Sequence, residues 1–184
     1  MGTDKAFLEL SGRPMIEHVL DVLRSVCRRI IIVTNSPDRY AAYGATVIKD
    51  VLDLRGPLTG IYSGLGRSED EYNFVTACDM PFLNAGLITY LAEQASGYDV
   101  TLPKIGEFAE PLHAVYHRRL LPVIEARLQE GRREIRGILE NVKVRYITRD
   151  EITRFDPEQR SFKNINTRRE YEEALCSDWG CRNS

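Results

Sequence analysis

Asp79 is the side chain of this sequence best placed to do chemistry. It lies in CDMPFL, directly after the apolar run YNFVTA at 72–77, and Pro81 stiffens the turn that follows. A carboxylate held at a strand end can ligate a hard cation such as Mg²⁺, which keeps several waters and needs only one or two protein carboxylates beside substrate phosphates. By itself the same spacing also fits a plain turn aspartate. The glycine-bounded stretch GPLTGI at 56–61 leads into a helical pattern and could present backbone N–H groups to a phosphate or a base edge, or be an ordinary loop with proline at a helix start. Lys5, near the first residue, reads alone as a solvated cation. His113 and His117 are four apart in a strand-like run and should share one face, but no third ligand accompanies them, which disfavours zinc. The arginines at 118, 119, 127, 132, 133 and 136 are interspersed with Glu125, Glu130 and Glu134, the mixture of a solvated face, with a phosphate grip as the lesser reading.

Other chemistries lack their patterns. Ser63 and Ser68 have no nucleophile-elbow context, and no glycine fingerprint for a dinucleotide joins a strand to a helix. The cysteines Cys27, Cys78, Cys176 and Cys181 form no pair of pairs around a metal, and no secretory leader precedes them, which points to a reducing cytoplasm.

The elements that must carry these residues alternate between strand and helix. Pro14 precedes an apolar stripe (Met15, Ile16, Val19, Leu20, Val22, Leu23, Val26) at helical spacing. RIIIVT at 29–34 reads as a strand buried on both faces, ending at Asn35; residues 46–49 read as a second, ending at Asp50; residues 72–77 read as a third, delivering Asp79. Ligands in open α/β sheets bind beyond the carboxyl ends of the strands, so Asn35, Asp50 and Asp79 are expected on one rim. Further along, Asn84 should cap a helix reaching about Gln94, residues 98–102, 112–116 and 142–147 read as strands, and 119–129 as a helix with Pro122 in its first turn. Gly44 and Gly131 should end helical turns, and Thr167 with Glu170 three residues on has the spacing of a capping box.

Composition agrees with one globular domain. The chain has 184 residues, 43% hydrophobic and 28% charged, with 25 basic groups against 27 acidic ones. A chain of this size buries close to about 70% of its surface and needs no disulfide to do so. The net charge of −2 argues against affinity for nucleic-acid phosphates. Its apolar runs are far shorter than the roughly 20 residues of a membrane span.

Taken in order, the motifs resemble the molybdenum cofactor guanylyltransferases, a branch of the nucleotidyltransferases. The resemblance covers nearly the whole chain: MGTDKAFLELSGRPMIEHVL at the start, VTNSP around Asn35, KD at Asp50, GPLTGI, CDMPFL, EPLHAVY from Glu110 and FKNINTRREY from Phe162. It implies a Rossmann-like three-layer α/β fold with a mostly parallel mixed sheet, a single nucleotidyltransferase domain over 1–175 and a tail over 176–184. It implies that a phosphate oxygen of molybdopterin attacks the α-phosphorus of GTP and that pyrophosphate leaves. Lys5 would then contact the nucleotide phosphates, Asn35 and Asp50 would hold the nucleoside, Asp79 would bind Mg²⁺, and Asn164 and Asn166 would face the pterin side. GTP and molybdopterin are the implied partners, with transient contacts to the proteins that deliver molybdopterin and accept the product.

Two departures stand out. The family pattern opens with an apolar strand and a glycine-rich loop, whereas this chain begins at what resembles the Met and Gly closing that loop. About 15–20 residues are expected ahead of Met1, the length of a strand plus its loop, as if the start codon were assigned too far downstream. The central first strand and the triphosphate cradle would then be missing. Arg168 also replaces the proline that commonly follows Thr in NINT. A cytidylyl or other transferase of the same fold, or a non-catalytic nucleotide-binding protein, would keep many of the same features.

Overall fold

A computed structural model describes residues 5–50, 56–165, 167 and 170–172. Asn166 and the tail expected over 176–184 lie outside the described residues, as does Arg168. After a 3₁₀ turn at Lys5–Phe7, the short strands β1 (Glu9–Leu10) and β2 (Arg13–Pro14) form a hairpin that leads into helix α1 (Met15–Val26). Pro14 stands at the N-cap of α1, and Met15, Ile16, Val19 and Leu20 form its buried stripe. Strand β3 (Ile31–Val33) pairs in parallel with β4 (Thr46–Ile48) across a 3₁₀ segment, Pro37–Tyr43, that Gly44 closes in the left-handed conformation.

Helix α2 (Pro57–Arg67) starts with proline in its first turn, and β5 (Tyr72–Thr76) follows. Asn84 caps α3 (Ala85–Glu93), accepting from the Leu87 N–H at 2.9 Å, while its own amide donates to the Phe155 carbonyl at 2.9 Å. Strand β6 (Val100–Ile105) turns through β7 (Phe108–Ala109) into β8 (His113–His117). Helix α4 (Leu121–Gln129), β9 (Val144–Ile147) and α5 (Arg149–Ile152) complete the fold, with Pro122 in the first turn of α4 and Gly131 at a positive φ just beyond it. Beyond α5, Thr167 and Glu170 exchange the reciprocal bonds of a capping box.

Helices lie on both sides of the sheet. α2 and α4 pack together over one face with Ala114 and Tyr116, while α3 packs on the other face against Val115 and alongside α1. Alternate residues of β8 thus point to opposite layers, as the pleat demands. This is the expected three-layer α/β architecture with a mixed sheet. Its parallel ladders, β3–β4 and β6–β9, join strands linked by crossovers; β8 runs antiparallel to β5 and β6 because it returns from β6 through a short hairpin.

The sheet is split. Strands β5, β8, β6, β7 and β9 form one ladder system and β3–β4 another, and among the described residues no strand joins β3 to β5. The consequence corrects the expectation that these two runs are fully buried. Every residue of β3 and of β5 is only half-buried, whereas most of β6 and β8 is buried. Their apolar side chains match a central strand, but among the described residues each strand has a neighbour on one edge only. No helix among the described residues is long and apolar enough to cross a membrane.

Candidate active site

The strand ends carry the chemistry. Asp79 lies in the turn after β5, half-buried, and its carboxylate makes no hydrogen bond or ion pair with any described residue. Its backbone is anchored: the Ile165 N–H donates to the Asp79 carbonyl at 2.9 Å. That bond brings the NINT segment to the CDMPFL turn, with exposed Asn164 on one side of Ile165. Ile165 also packs with Leu10, Met15, Phe82 and Tyr171, and the Tyr171 hydroxyl donates to the Glu9 carbonyl. The N-terminal hairpin, the CDMPFL turn and the C-terminal motif therefore form one body, 162 residues apart along the chain at its extremes. Lys5, half-buried, opens the turn that leads into this hairpin.

Asn35 and Asp50 form a second group. They follow the adjacent parallel strands β3 and β4, whose ends are tied by the Thr34 N–H donating to the Ile48 carbonyl at 3.0 Å. Asn35 is exposed; Asp50 is half-buried and receives the Ser63 hydroxyl of α2 on Oδ1 at 2.5 Å. Oδ2 has no described partner and can accept from another donor. In the sequence Ser63 stands out only as a hydroxyl without a nucleophile's setting. Its work here is to orient a carboxylate, which its position on the apolar face of α2 does not reveal.

Ahead of α2, Gly56 sits at φ 148°, a conformation that favours glycine, and Thr59 donates its hydroxyl back to the Gly56 carbonyl at 2.5 Å. This turn sets the first N–H groups of α2 at the rim. A methyl group built on Gly56 would stand 3.8 Å from the Cβ of Arg133, so the arginine-rich loop after α4 flanks the start of α2. Most of the other arginines are engaged in structure: Arg118 donates to the Leu65 carbonyl at 3.3 Å, Arg119 pairs with Asp99, and Arg132 with Glu130 at 3.3 Å. Glu110, half-buried, has its carboxyl pushed up by burial, an effect that Arg136 opposes.

The histidines share a face of β8, as their spacing predicts, but not for metal. His113 is fully buried between the rings of Phe74 and Phe162, both of its nitrogens lack hydrogen-bond partners, and burial drives its pKa down to about 3. His117 accepts from the Arg119 N–H at 3.0 Å and meets Tyr72 edge-on. Among the described residues no three His, Cys, Asp or Glu side chains cluster around a metal position. A cation at Asp79 would draw the rest of its shell from water and substrate oxygens, which suits Mg²⁺ and does not suit zinc.

The sequence matches the MobA-like NTP transferase domain over residues 1–146. The chain belongs to this family. A molybdenum cofactor guanylyltransferase of Desulfosudis oleivorans is 42% identical over 174 residues, spanning 94% of this chain and 86% of that protein. Another, from Syntrophotalea carbinolica, is 32% identical over 94% of this chain and 83% of its own length. Among solved structures, molybdopterin-guanine dinucleotide biosynthesis protein A of Archaeoglobus fulgidus superposes with a TM-score of 0.84 at 28% identity, covering 95% and 90% of the two chains. A 2-C-methyl-D-erythritol 4-phosphate cytidylyltransferase of Thermus thermophilus shares the fold at a TM-score of 0.70 and 16% identity, over 93% and 92% of the chains. This MobA-like chain is therefore a nucleotidyltransferase with the α/β fold of its relatives.

Proposed function

We propose that this MobA-like chain transfers GMP from GTP to molybdopterin, forming molybdopterin guanine dinucleotide and releasing pyrophosphate, a reading supported by its likeness to proteins named molybdenum cofactor guanylyltransferase. The observation that carries the chemistry is the Asp79 carboxylate, anchored through its backbone at the strand-end rim and engaged by no described side chain. The choice of guanine and of molybdopterin rests on the 42% identity to the Desulfosudis protein.

In this reading a phosphate oxygen of molybdopterin forms a bond to the α-phosphorus of GTP as the bond to the pyrophosphate oxygen breaks. Such a displacement needs in-line positioning and neutralised charge more than a protein nucleophile. Lys5 contacts the triphosphate. Asp79 holds Mg²⁺, which when bound offsets charge at the reacting phosphate. Asn35 and Asp50 hold the nucleoside, and Asp50, with Oδ1 occupied by Ser63, has Oδ2 for the N–H donors of guanine. Asn164 faces the pterin, a role that the NINT motif also assigns to Asn166. We place the reaction in the cytoplasm, where thiols such as Cys27 and Cys78 stay reduced.

Pyrophosphate release, measured with Mg²⁺, molybdopterin and either GTP or CTP, tests the reading. GTP should be the working substrate, and Asp79→Asn should lower kcat by about 10²-fold or more, the usual effect of removing one group that stabilises transition-state charge, with an unchanged melting temperature. Equal turnover of CTP would move the chain to the cytidylyl branch. Magnesium-dependent GTP binding without pyrophosphate release would mark a binding protein instead.

A further inference from the structure

Glu110 lies at the same end of the sheet as Asp79. The β5–β8 ladder closes with Thr76 opposite His113, so Asp79, shortly after Thr76, and Glu110, shortly before His113, both stand beyond that end. Leu112 packs in one cluster with Ala77 and Met80, on either side of Cys78 and Asp79. Ala109 and Leu112 also pack on the cluster that holds Ile135 and Ile138, on either side of Arg136. The backbone is pinned at Glu110 itself: its N–H donates to the Pro103 carbonyl at 3.0 Å, and its carbonyl accepts from the His113 N–H at 3.1 Å. The side chain is half-buried and makes no hydrogen bond or ion pair with any described residue. Arg136 acts on it only from a distance, opposing the upward push of burial on its carboxyl. A part-buried carboxylate with unclaimed oxygens is held at a cost that N–H donors from a ligand remove.

Position along the rim decides which donors those are. Arg29, just ahead of β3, pairs with Asp70, just ahead of β5, at 3.1 Å, so the two ladder systems start side by side, with β4 beyond β3 and β8 beyond β5. Asp50 follows β4 and Glu110 precedes β8, so Asp79, after β5, stands between them. The two substrates of the proposed reaction match this order. Guanine and the pterin of molybdopterin carry the same pyrimidinone edge, a ring N–H beside an exocyclic amine, whose donors a carboxylate can accept. One acidic side chain cannot hold two such edges when the phosphates of both ligands meet at a single cation. Two carboxylates on opposite sides of Asp79 can.

We propose that Glu110 is the specificity residue of the acceptor side, its carboxylate accepting from the ring N–H and the exocyclic amine of the pterin. The inference rests on the transferase reading and adds to it the place of the acceptor ring. With both oxygens open, Glu110 can meet the two donors together, whereas Asp50 offers guanine only Oδ2, since Ser63 takes Oδ1. A heterocycle that carries oxygen in place of the amine sets an acceptor against an acceptor and is rejected. Glu110 stands on the far side of Asp79 from the nucleoside, so its loss acts on the acceptor alone.

The test uses the full chain and Glu110→Leu, with GTP and Mg²⁺ at saturation to fill the nucleotide side. Free pterin, followed by its fluorescence, should bind the unaltered chain at least about ten-fold more tightly than lumazine, which has oxygen where pterin has the amine. In Glu110→Leu the two should bind alike, at the level of lumazine. In turnover the variant should raise KM for molybdopterin about ten-fold and change kcat and KM for GTP by less than about two-fold, a split that a merely structural residue does not give. Absence of saturable pterin binding would overturn the proposal, as would a preference for pterin that survives Glu110→Leu. The comparison of pterin with lumazine on the unaltered chain is decisive even where the variant fails to fold, because equal binding there also refutes it. Pyrophosphate release separates this inference from the reading beneath it. Release without a pterin preference refutes the role of Glu110 and leaves transfer standing; a pterin preference that depends on Glu110, without release, upholds the pterin site and refutes transfer.

Discussion

His113 shows what a buried titratable group does to the molecule as a whole. Its ring is enclosed by Phe74 and Phe162 with no hydrogen bond at either nitrogen, and it stays neutral down to about pH 3 in the folded state. The unfolded chain takes up its proton near the ordinary pKa of about 6.5. Between those values the unfolded state binds more protons, so this group's contribution is intact above about pH 6.5 and declines as pH falls toward 3. His113→Phe keeps the ring and removes the titration. Urea unfolding of both proteins should show the variant at least as stable at pH 7, with a shallower loss between pH 6.5 and 4 on the order of 1–3 kcal/mol. Equal slopes would mean that His113 is protonated within the fold. Part of this was legible in sequence: two histidines at even spacing in a strand-like run belong on one face, and they do. The partners that seal the ring come from β5 and from the 3₁₀ turn at Arg160–Phe162, contacts that no local pattern encodes.

At the scale of elements, short local signals were the most readable. Asn84 as a cap, Pro122 in a first turn, and Gly44 and Gly131 as stops act through their own backbone, and each stands where its chemistry requires. The short helix α5 has no strong periodicity to announce it, yet its start is heavily bonded. Thr148 and Glu151 form a capping box, and Glu151 also accepts from Tyr90 at 2.8 Å and Arg145 at 2.6 Å, tying α5 to α3 and β9. Burial alone would raise the Glu151 pKa, but its hydrogen bonds with Thr148 outweigh it, together with those from Tyr90 and the charge of Arg145, and hold it at about 2. Thr148→Ala should cost about 1 kcal/mol of unfolding free energy by denaturant titration. Thr148→Ser should recover most of that, because the hydroxyl and not the methyl makes the cap. The same reasoning applies to α2: Ser63→Ala frees Asp50 to rotate, and in the proposed reaction it should raise KM for GTP several-fold with a smaller change in kcat. A loss confined to kcat would place Asp50 at the reacting phosphate and not at the base.

For the whole molecule, the sequence specifies two strands with the composition of sheet-centre strands, and among the described residues each of them pairs on one edge only. RIIIVT and YNFVTA carry apolar or β-branched residues on both faces, the pattern of a strand covered on both sides, and both are half-buried where no described strand joins β3 to β5. Which strand would lie beside which cannot be read from composition, since the pairing is decided by crossovers of tens of residues. The split has a dynamic consequence. One body consists of β5–β9 with α3, α4 and the sheet face of α2, and holds the large buried set of Leu58, Leu102, Tyr116 and Ile124. The other, β3–β4 with the 3₁₀ segment between them, rests on α1 and on a smaller cluster of Ala6, Ile16, Leu20 and Tyr40. It is joined to the first body mainly by helix packing and by the exposed Arg28–Arg29 to Glu69–Asp70 pairs, which salt screens. Regions with fewer buried contacts open before the rest. Native-state hydrogen exchange should therefore find the amides of β6 and β8 opening only with global unfolding, and those of β3 and β4 opening at a lower free energy that falls further in high salt. If β3 and β6 instead exchange with the same free energy, the helix packing alone couples the two bodies and the fold opens as one unit.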